Sequence, residues 1–341
     1  MRAVSIFVAS LVVMLATEAR AQSSAASQSS AASQSSAASQ PAAASQPAAA
    51  PQSHPASTQT TPASTPPPQP TATTKGTPRD CKLHWPEGRP KFRIIEYVAT
   101  AVVGSAAIAM YYVLPPRSEP QFIGGILFDD AIRNALRVRT PAALQTVWAF
   151  SDAVDVALVV LVFGVDSLAV PTLRGSPDVA FQLGLMDAEA YAFSSVLAIG
   201  LYDSVGRARP SYEDCLKDPS FVGCQTSPTA SFPSGHTNEA FTAAGLSCAN
   251  HQFLPIYGSK LWDAMACARD LILATSDGVL RVVGDRHWTT DVLTGGAIGF
   301  AFGYGMPTLL HYAAPKNSFL ARWTVRPMPG RGPGVVVGGS F

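Results

Sequence analysis

The sequence predicts an all-α protein: a bundle of about six long, mostly membrane-embedded helices behind a disordered N-terminal tether. Three observations carry this prediction. Apolar runs of helix length follow one another at Ile94–Leu114, Val147–Leu173, Val179–Tyr202, Thr237–Cys248, Leu261–Val283 and Val292–Tyr312, and strands are shorter than these. Proline and glycine seldom interrupt them. Charged residues make up only 14% of the chain and the net charge is +1, so there is no basic face for a nucleic-acid partner.

The elements are justified in order. Residues 1–21 read as a secretory signal: Arg2 is the basic start, Val4 to Ala16 is apolar, and Ala19-Arg20-Ala21 is a small-x-small cleavage site ahead of Gln22. Residues 22–80 repeat QSSAAS and its QPAAAS variants and then turn Pro/Thr/Ser-rich. They contain too little apolar surface to offset the entropy of ordering, so this stretch is a disordered tether. Residues 81–315 hold the six runs and form the helical domain. The first run carries one charge, Glu96, whereas later runs carry Asp152, Asp155, Asp187, Glu189, Asp263 and Asp270. Acids of this kind do not face lipid. Residues 316–341 are a Gly/Pro-rich, β-branched tail with a hairpin turn near Pro329–Gly334.

Chemistry concentrates at the ends of the later runs. In "SFPSGHTNEAF", residues 231–241, a hydroxyl, a bare backbone and an imidazole precede a helical run. The first turn of a helix has unpaired N–H groups and a positive dipole end, which suits a phosphate. The bland alternative is an ordinary serine N-cap. Upstream lies "GRARP", with Arg207 and Arg209; downstream lies "RVVGDRHWTTD", where Arg281 precedes His287 by six residues and Asp291 follows it by four. On a helix that last spacing puts His287 and Asp291 on one face, where a carboxylate would orient a nucleophilic imidazole. Arg209 and Arg281 present the forked donors that match phosphate oxygens. His54, His84, His251 and His311 have no such company in the sequence and receive no role.

The ordered set Arg-Pro, Pro-Ser-Gly-His and Arg-x5-His-x3-Asp resembles the type 2 phosphatidic acid phosphatase superfamily, which includes membrane lipid phosphatases, bacterial acid phosphatases and vanadium haloperoxidases. The resemblance covers roughly residues 200–300. It implies that His287 takes the phosphoryl group, that Asp291 orients it, and that His236 protonates the leaving oxygen. Arg209, Arg281, Ser234 and the Gly235 amide would form the phosphate cradle. No metal and no cofactor are expected, because dense donors are what a loose phosphoryl-transfer transition state needs. The chain departs from the family pattern at Tyr202, where a lysine is usual, and at Leu280, where a serine is usual. Arg207 is expected to carry the missing charge.

The function implied is a phosphatase acting on a lipid phosphate or pyrophosphate, with a phosphorylated lipid or small phosphate as substrate and the membrane as its setting. The rival readings are a soluble periplasmic acid phosphatase, a vanadium-dependent haloperoxidase, and a degenerate member that binds phospholipid without turnover. Cys215 and Cys224 lie in the loop between the first two motifs and can staple it in an exported protein. Cys248 and Cys267 would sit level on an antiparallel helical hairpin; they are expected as reduced thiols in a membrane-spanning domain, the alternative being a bonded pair in a wholly extracytoplasmic one, with Cys81 left over. The expected location is the bacterial envelope, in the inner membrane with the site facing the periplasm, or else wholly periplasmic. A cleaved signal and three crossings before "GRARP" would put that motif inside. The sum closes if 147–173 or 179–202 does not cross, if the domain is entirely periplasmic, or if the leader is not a signal.

Overall fold

The computed structural model describes residues 82–113, 117–225, 229–313, 323–327 and 335–339. The expected signal and tether lie outside the described residues. Helix α1 is Ile94–Val113 and α2 is Asp129–Leu136. Helix α3, Pro141–Val159, continues through a π-helical stretch, Val160–Ala169, into α4, Val170–Leu173. There follow α5, Pro177–Val205, short α6, Tyr212–Lys217, α7, Gly235–Phe253, and α8, Lys260–Val283. Helix α9, Thr289–Phe300, runs on through π-helical turns to Tyr312. The tail contributes an antiparallel hairpin, β1 (Trp323–Pro327) paired with β2 (Val335–Gly339).

Local chemistry sets the helix limits. Thr140 caps α3 by accepting from the Ala143 amide, with Pro141 at the first helical position, where its missing N–H costs nothing. Ser259 caps α8 in the same way. Helix α5 ends at Gly206, whose φ of 56° is a left-handed conformation that glycine adopts without strain. That stop turns Arg207 and Arg209 off the helix end.

Helix α7 is the centre of the bundle. Ala240, Ala243, Ala244 and Leu246 on it pack against Leu158, Val162, Ala190 and Ala274. Helix α9 approaches α7 through a small-residue stripe. A Cβ at Gly299 would lie 2.2 Å from the Asn238 carbonyl oxygen and one at Gly303 2.2 Å from that of Thr242. Only bare backbones fit so closely, and this contact draws the start of α9 onto the start of α7.

Among the described residues, two helical spans are long and apolar enough to cross a membrane, Ile94–Val113 and Pro141–Leu173. Their apolar side chains are well exposed, among them Ile94, Val98, Val102, Phe150 and Val160, as a lipid-facing surface requires. The acids on these and later helices turn inward: Asp155, Asp187, Glu189, Asp263 and Asp270 are buried. Of the two runs marked by their acids, the one around 147–173 qualifies as a span and α5 does not. Helix α5 nevertheless runs beside α1 in the same direction. At its start Ser176 and Gln182 accept from the amides of Leu83 and Phe92, both at 2.8 Å, and at its end Arg117 donates to the Asp203 carbonyl, also at 2.8 Å. Residues 82–93 therefore lie at the end of the bundle opposite "GRARP".

Both cysteine pairs are bonded: Cys215–Cys224 and Cys248–Cys267, with Cα atoms 5.5 and 4.4 Å apart. The second corrects the expectation of reduced thiols. The antiparallel crossing of α7 and α8 brings the two backbones to disulfide distance.

Candidate active site

The ends of α5, α7 and α8 and the start of α9 meet at one face, with α3 behind them. His287 is buried in the short turn between α8 and α9. Its Nδ1 lies 2.7 Å from the Ser231 carbonyl oxygen and its Nε2 lies 3.4 Å from Arg209. A carbonyl can only accept, so Nδ1 carries the proton and Nε2 keeps its lone pair. Arg209 is fixed in turn by a 2.8 Å bond to the Arg286 carbonyl. His236, the second residue of α7, places Nε2 3.5 Å from Asp152. Arg281 donates to the same carboxylate at 2.5 Å and has Asp277 at 3.6 Å. Gly235 opens α7 with free space where a side chain would stand, so a ligand can approach its amide.

Three expectations about these residues are corrected. Asp291 does not touch His287: its oxygens accept from Arg207 at 2.6 Å, from Ser231 Oγ at 2.6 Å and from the Trp288 amide at 3.0 Å. The turn before α9 points the histidine away from the helix face that carries Asp291. The carboxylate acts at one remove, holding the serine whose carbonyl orients the imidazole. Arg207 is not in the cradle. It is 1% exposed, pairs with Asp129 at 2.7 Å and with Asp291, bonds Thr290 and the Gly124 carbonyl, and lies between the Trp288 and Phe122 rings. Its donors are spent on structure. The Ser234 hydroxyl turns back into α7, bonding Thr237 Oγ1 at 2.9 Å and accepting from the Thr237 amide; the bland N-cap reading holds for it.

Other residues at the site come from distant parts of the chain. Asp152 reaches it from α3, Ser231 from the loop before α7, and Asp129 from the start of α2, where it also accepts from the Thr290 amide at 2.9 Å. Asp285 has a φ of 58° and is gripped by Arg133 at 2.6 and 2.7 Å. This turn aims Arg286 inward, where its guanidinium lies 3.7 Å from the centre of the Trp148 ring. For Asp152 the available signal was an acid inside an apolar run, and for Arg286 it was its position beside His287.

Cations dominate the local field. Burial, and then the charges of Arg209 and Arg281, push His287 well below the ordinary histidine range. Burial and the charges of Arg281, Arg209 and Arg286 do the same to His236. Arg286 itself falls to about 9, through burial and repulsion from Arg209 and Arg281. Both imidazoles are therefore neutral near pH 7, and the site attracts an anion. A cavity of about 180 Å³ adjoins Arg209, lined by Ser211, Tyr212, Leu216 and the Cys215–Cys224 bridge.

Residues 183–315 match the family described as the PAP2 superfamily. This stretch belongs to that superfamily. Over 74 residues the PAP2 domain is 40% identical to a lipid A 1-phosphatase of Porphyromonas gingivalis, a match covering 21% of this chain and 15% of that protein. A crystal structure of a transmembrane PAP2-type phosphatidylglycerolphosphate phosphatase from Bacillus subtilis aligns with a TM-score of 0.40 and 18% identity, over 62% of this chain and 92% of that one.

Proposed function

We propose that the protein is a metal-independent phosphatase that removes a phosphate from a phosphorylated lipid through a phosphohistidine intermediate. The observation that carries this is His287: a buried, neutral imidazole, with its proton held on Nδ1 and its Nε2 lone pair directed toward Arg209. Nε2 attacks phosphorus, and the P–O bond to the leaving group breaks as the N–P bond forms. His236 gives its proton to the leaving oxygen, and water then attacks the phosphohistidine. Arg209, Arg281 and the Gly235 amide hold the phosphoryl oxygens while charge builds on them. The incoming phosphate's negative charge opposes the cations that keep His236 neutral, so substrate binding favours its protonation. The donor set is rich in guanidinium groups, which suit an anion and repel a cation.

A lipid substrate is supported by the membrane-length apolar spans beside the site and by the lipid phosphatases among the relatives. Domain limits of 1–21, 22–80, 81–315 and 316–341 accompany this reading. The site is assigned to the oxidising, periplasmic face on the strength of the Cys215–Cys224 bridge beside it. The Cys248–Cys267 bond, in the half of the bundle away from the site, favours a second placement in which the whole domain is periplasmic.

The test is phosphate release from detergent-solubilised lipid phosphates with EDTA present, together with acid-quench trapping using radiolabelled substrate. Label bound to protein, stable to alkali and labile to acid, supports the phosphohistidine. Turnover that requires an added divalent metal would refute the mechanism.

A further inference from the structure

The family pattern places a lysine where this chain has Tyr202, and Arg207, the nearest alternative, is consumed by Asp129 and Asp291. The cradle nevertheless contains a third cation. We propose that Arg286 is a phosphate-binding residue that supplies the charge missing at position 202. This assignment rests on the phosphatase reading of the same site.

Four observations support it. Arg286 immediately precedes His287, so its side chain starts one residue from the nucleophile. Its guanidinium is close enough to Arg209, Arg281 and His236 for its charge to act on all three. Its Nε is buried without a hydrogen-bond partner, and a buried donor left unmade is costly. The position is also built. Trp148 donates to the Gly284 carbonyl at 2.6 Å, and a Cβ at Gly284 would lie 2.8 Å from that ring, so glycine lets the indole close in beneath Arg286. The indole face against the guanidinium limits its movement, and the Nε–H is left for an oxygen to accept.

Crowding three guanidinium groups is unfavourable unless an anion joins them. Asp152 supplies one negative charge, and Asp277 partners Arg281 from behind. An anionic phosphate oxygen matches the positive charge that remains. The lysine of the family pattern would reach phosphate from the end of α5, whereas Arg286 reaches it from the α8–α9 turn. A planar fork replaces a point charge, so the ligand favoured is a terminal phosphate offering two oxygens in one plane.

A role confined to stacking on Trp148 predicts a different result, and Arg286→Met separates the two because it keeps an apolar stem on the indole and deletes the donors. The full chain in detergent is dialysed against radiolabelled inorganic phosphate, and kcat/KM is measured on a soluble phosphomonoester. Arg286→Met is expected to weaken phosphate binding by about 10–10²-fold and to lower kcat/KM by about 10²–10³-fold, with an unchanged melting temperature. Arg286→Lys should fall between wild type and Arg286→Met. Tyr202→Lys added to Arg286→Met should recover part of the binding. Wild-type phosphate affinity in Arg286→Met overturns the assignment. A wild type that binds phosphate but hydrolyses no ester refutes the phosphatase reading, while the binding series still decides Arg286.

Discussion

At the end of the bundle remote from His287, His251 lies between Asp166 at 3.3 Å and Asp263 at 2.8 Å, and Arg269 joins Asp166 to Asp270 at 3.1 and 2.7 Å. Tyr257 donates to Asp166 as well. Opposite charges alternate there, as they do in a network that serves structure. At the proposed catalytic end Arg209, Arg281 and Arg286 lie close enough to act on one another and on His236, Arg281 pairs with Asp152 with Asp277 behind, and two histidines are driven neutral. The two regions are built from the same residue types on neighbouring helices. What separates them is the sign of the excess charge: carboxylates outnumber cations around His251, whereas guanidinium groups outnumber carboxylates around His287 and suit an anion. A cation-rich cluster of perturbed groups is the physical signature of an anion site.

The largest effect that tests this contrast is loss of the proposed nucleophile. His287→Ala should abolish phosphate release with the fold retained, measured as turnover beside a circular-dichroism melt. Residual turnover near the wild-type level would remove His287 from the mechanism. Arg207→Ala should act differently, because it leaves Asp129 and Asp291 buried without their cation. Breaking a buried pair in this way costs about 3–5 kcal/mol, so the variant should lose thermal stability first. If Arg207→Ala melts like wild type but loses activity, Arg207 belongs to the cradle after all. His236→Ala should slow the reaction by about 10²–10⁴-fold, and the deficit should shrink with a nitrophenolate leaving group, which needs no proton.

Acid stability probes the cation excess more gently. The folded pKa of His287 lies well below the unfolded value of about 6.5. Above pH 6.5 both states are neutral and stability is unaffected. As pH falls below 6.5 the unfolded chain takes up the proton first, and stability is lost at about 1.4 kcal/mol per pH unit until the folded pKa is reached. Melting temperatures between pH 7 and 5 should fall more steeply for wild type than for His287→Gln. Equal slopes would mean that His287 is not held neutral.

The long helices were legible because apolar length alone separates helix from strand, and His236, Arg209, Arg281 and His287 were legible because short motifs carry them. The partners were not. Arg207 meets Asp129 across 78 residues and Asp291 across 84, and Asp152 meets Arg281 across 129. No local spacing reports such pairings. The His287–Asp291 expectation failed for a related reason: the spacing assumes a continuous helix, but α9 begins only at Thr289. Ser231, whose carbonyl and hydroxyl link the two residues, carries no motif weight of its own. Asp187, Asp263 and Asp270 were visible as acids in apolar runs, yet only packing shows that they face inward.

The smallest expected effect on activity comes from the His251 end and sharpens the contrast most. Asp263 accepts from His251 Nδ1 and from the Tyr257 amide, each at 2.8 Å. Asp263→Asn keeps an acceptor for the amide and deletes the charge that faces His251. The fold should lose about 1–3 kcal/mol, since the buried hydrogen bonds involve a charged group. The proposed catalytic groups lie at the other ends of α7 and α8, and distant sites contribute almost independently. The value of kcat/KM on a soluble phosphomonoester should therefore stay within about twofold of wild type while the melting temperature falls. A large drop in kcat/KM at unchanged stability would mean that the two ends are coupled, and the His251 network could no longer be read as structural alone.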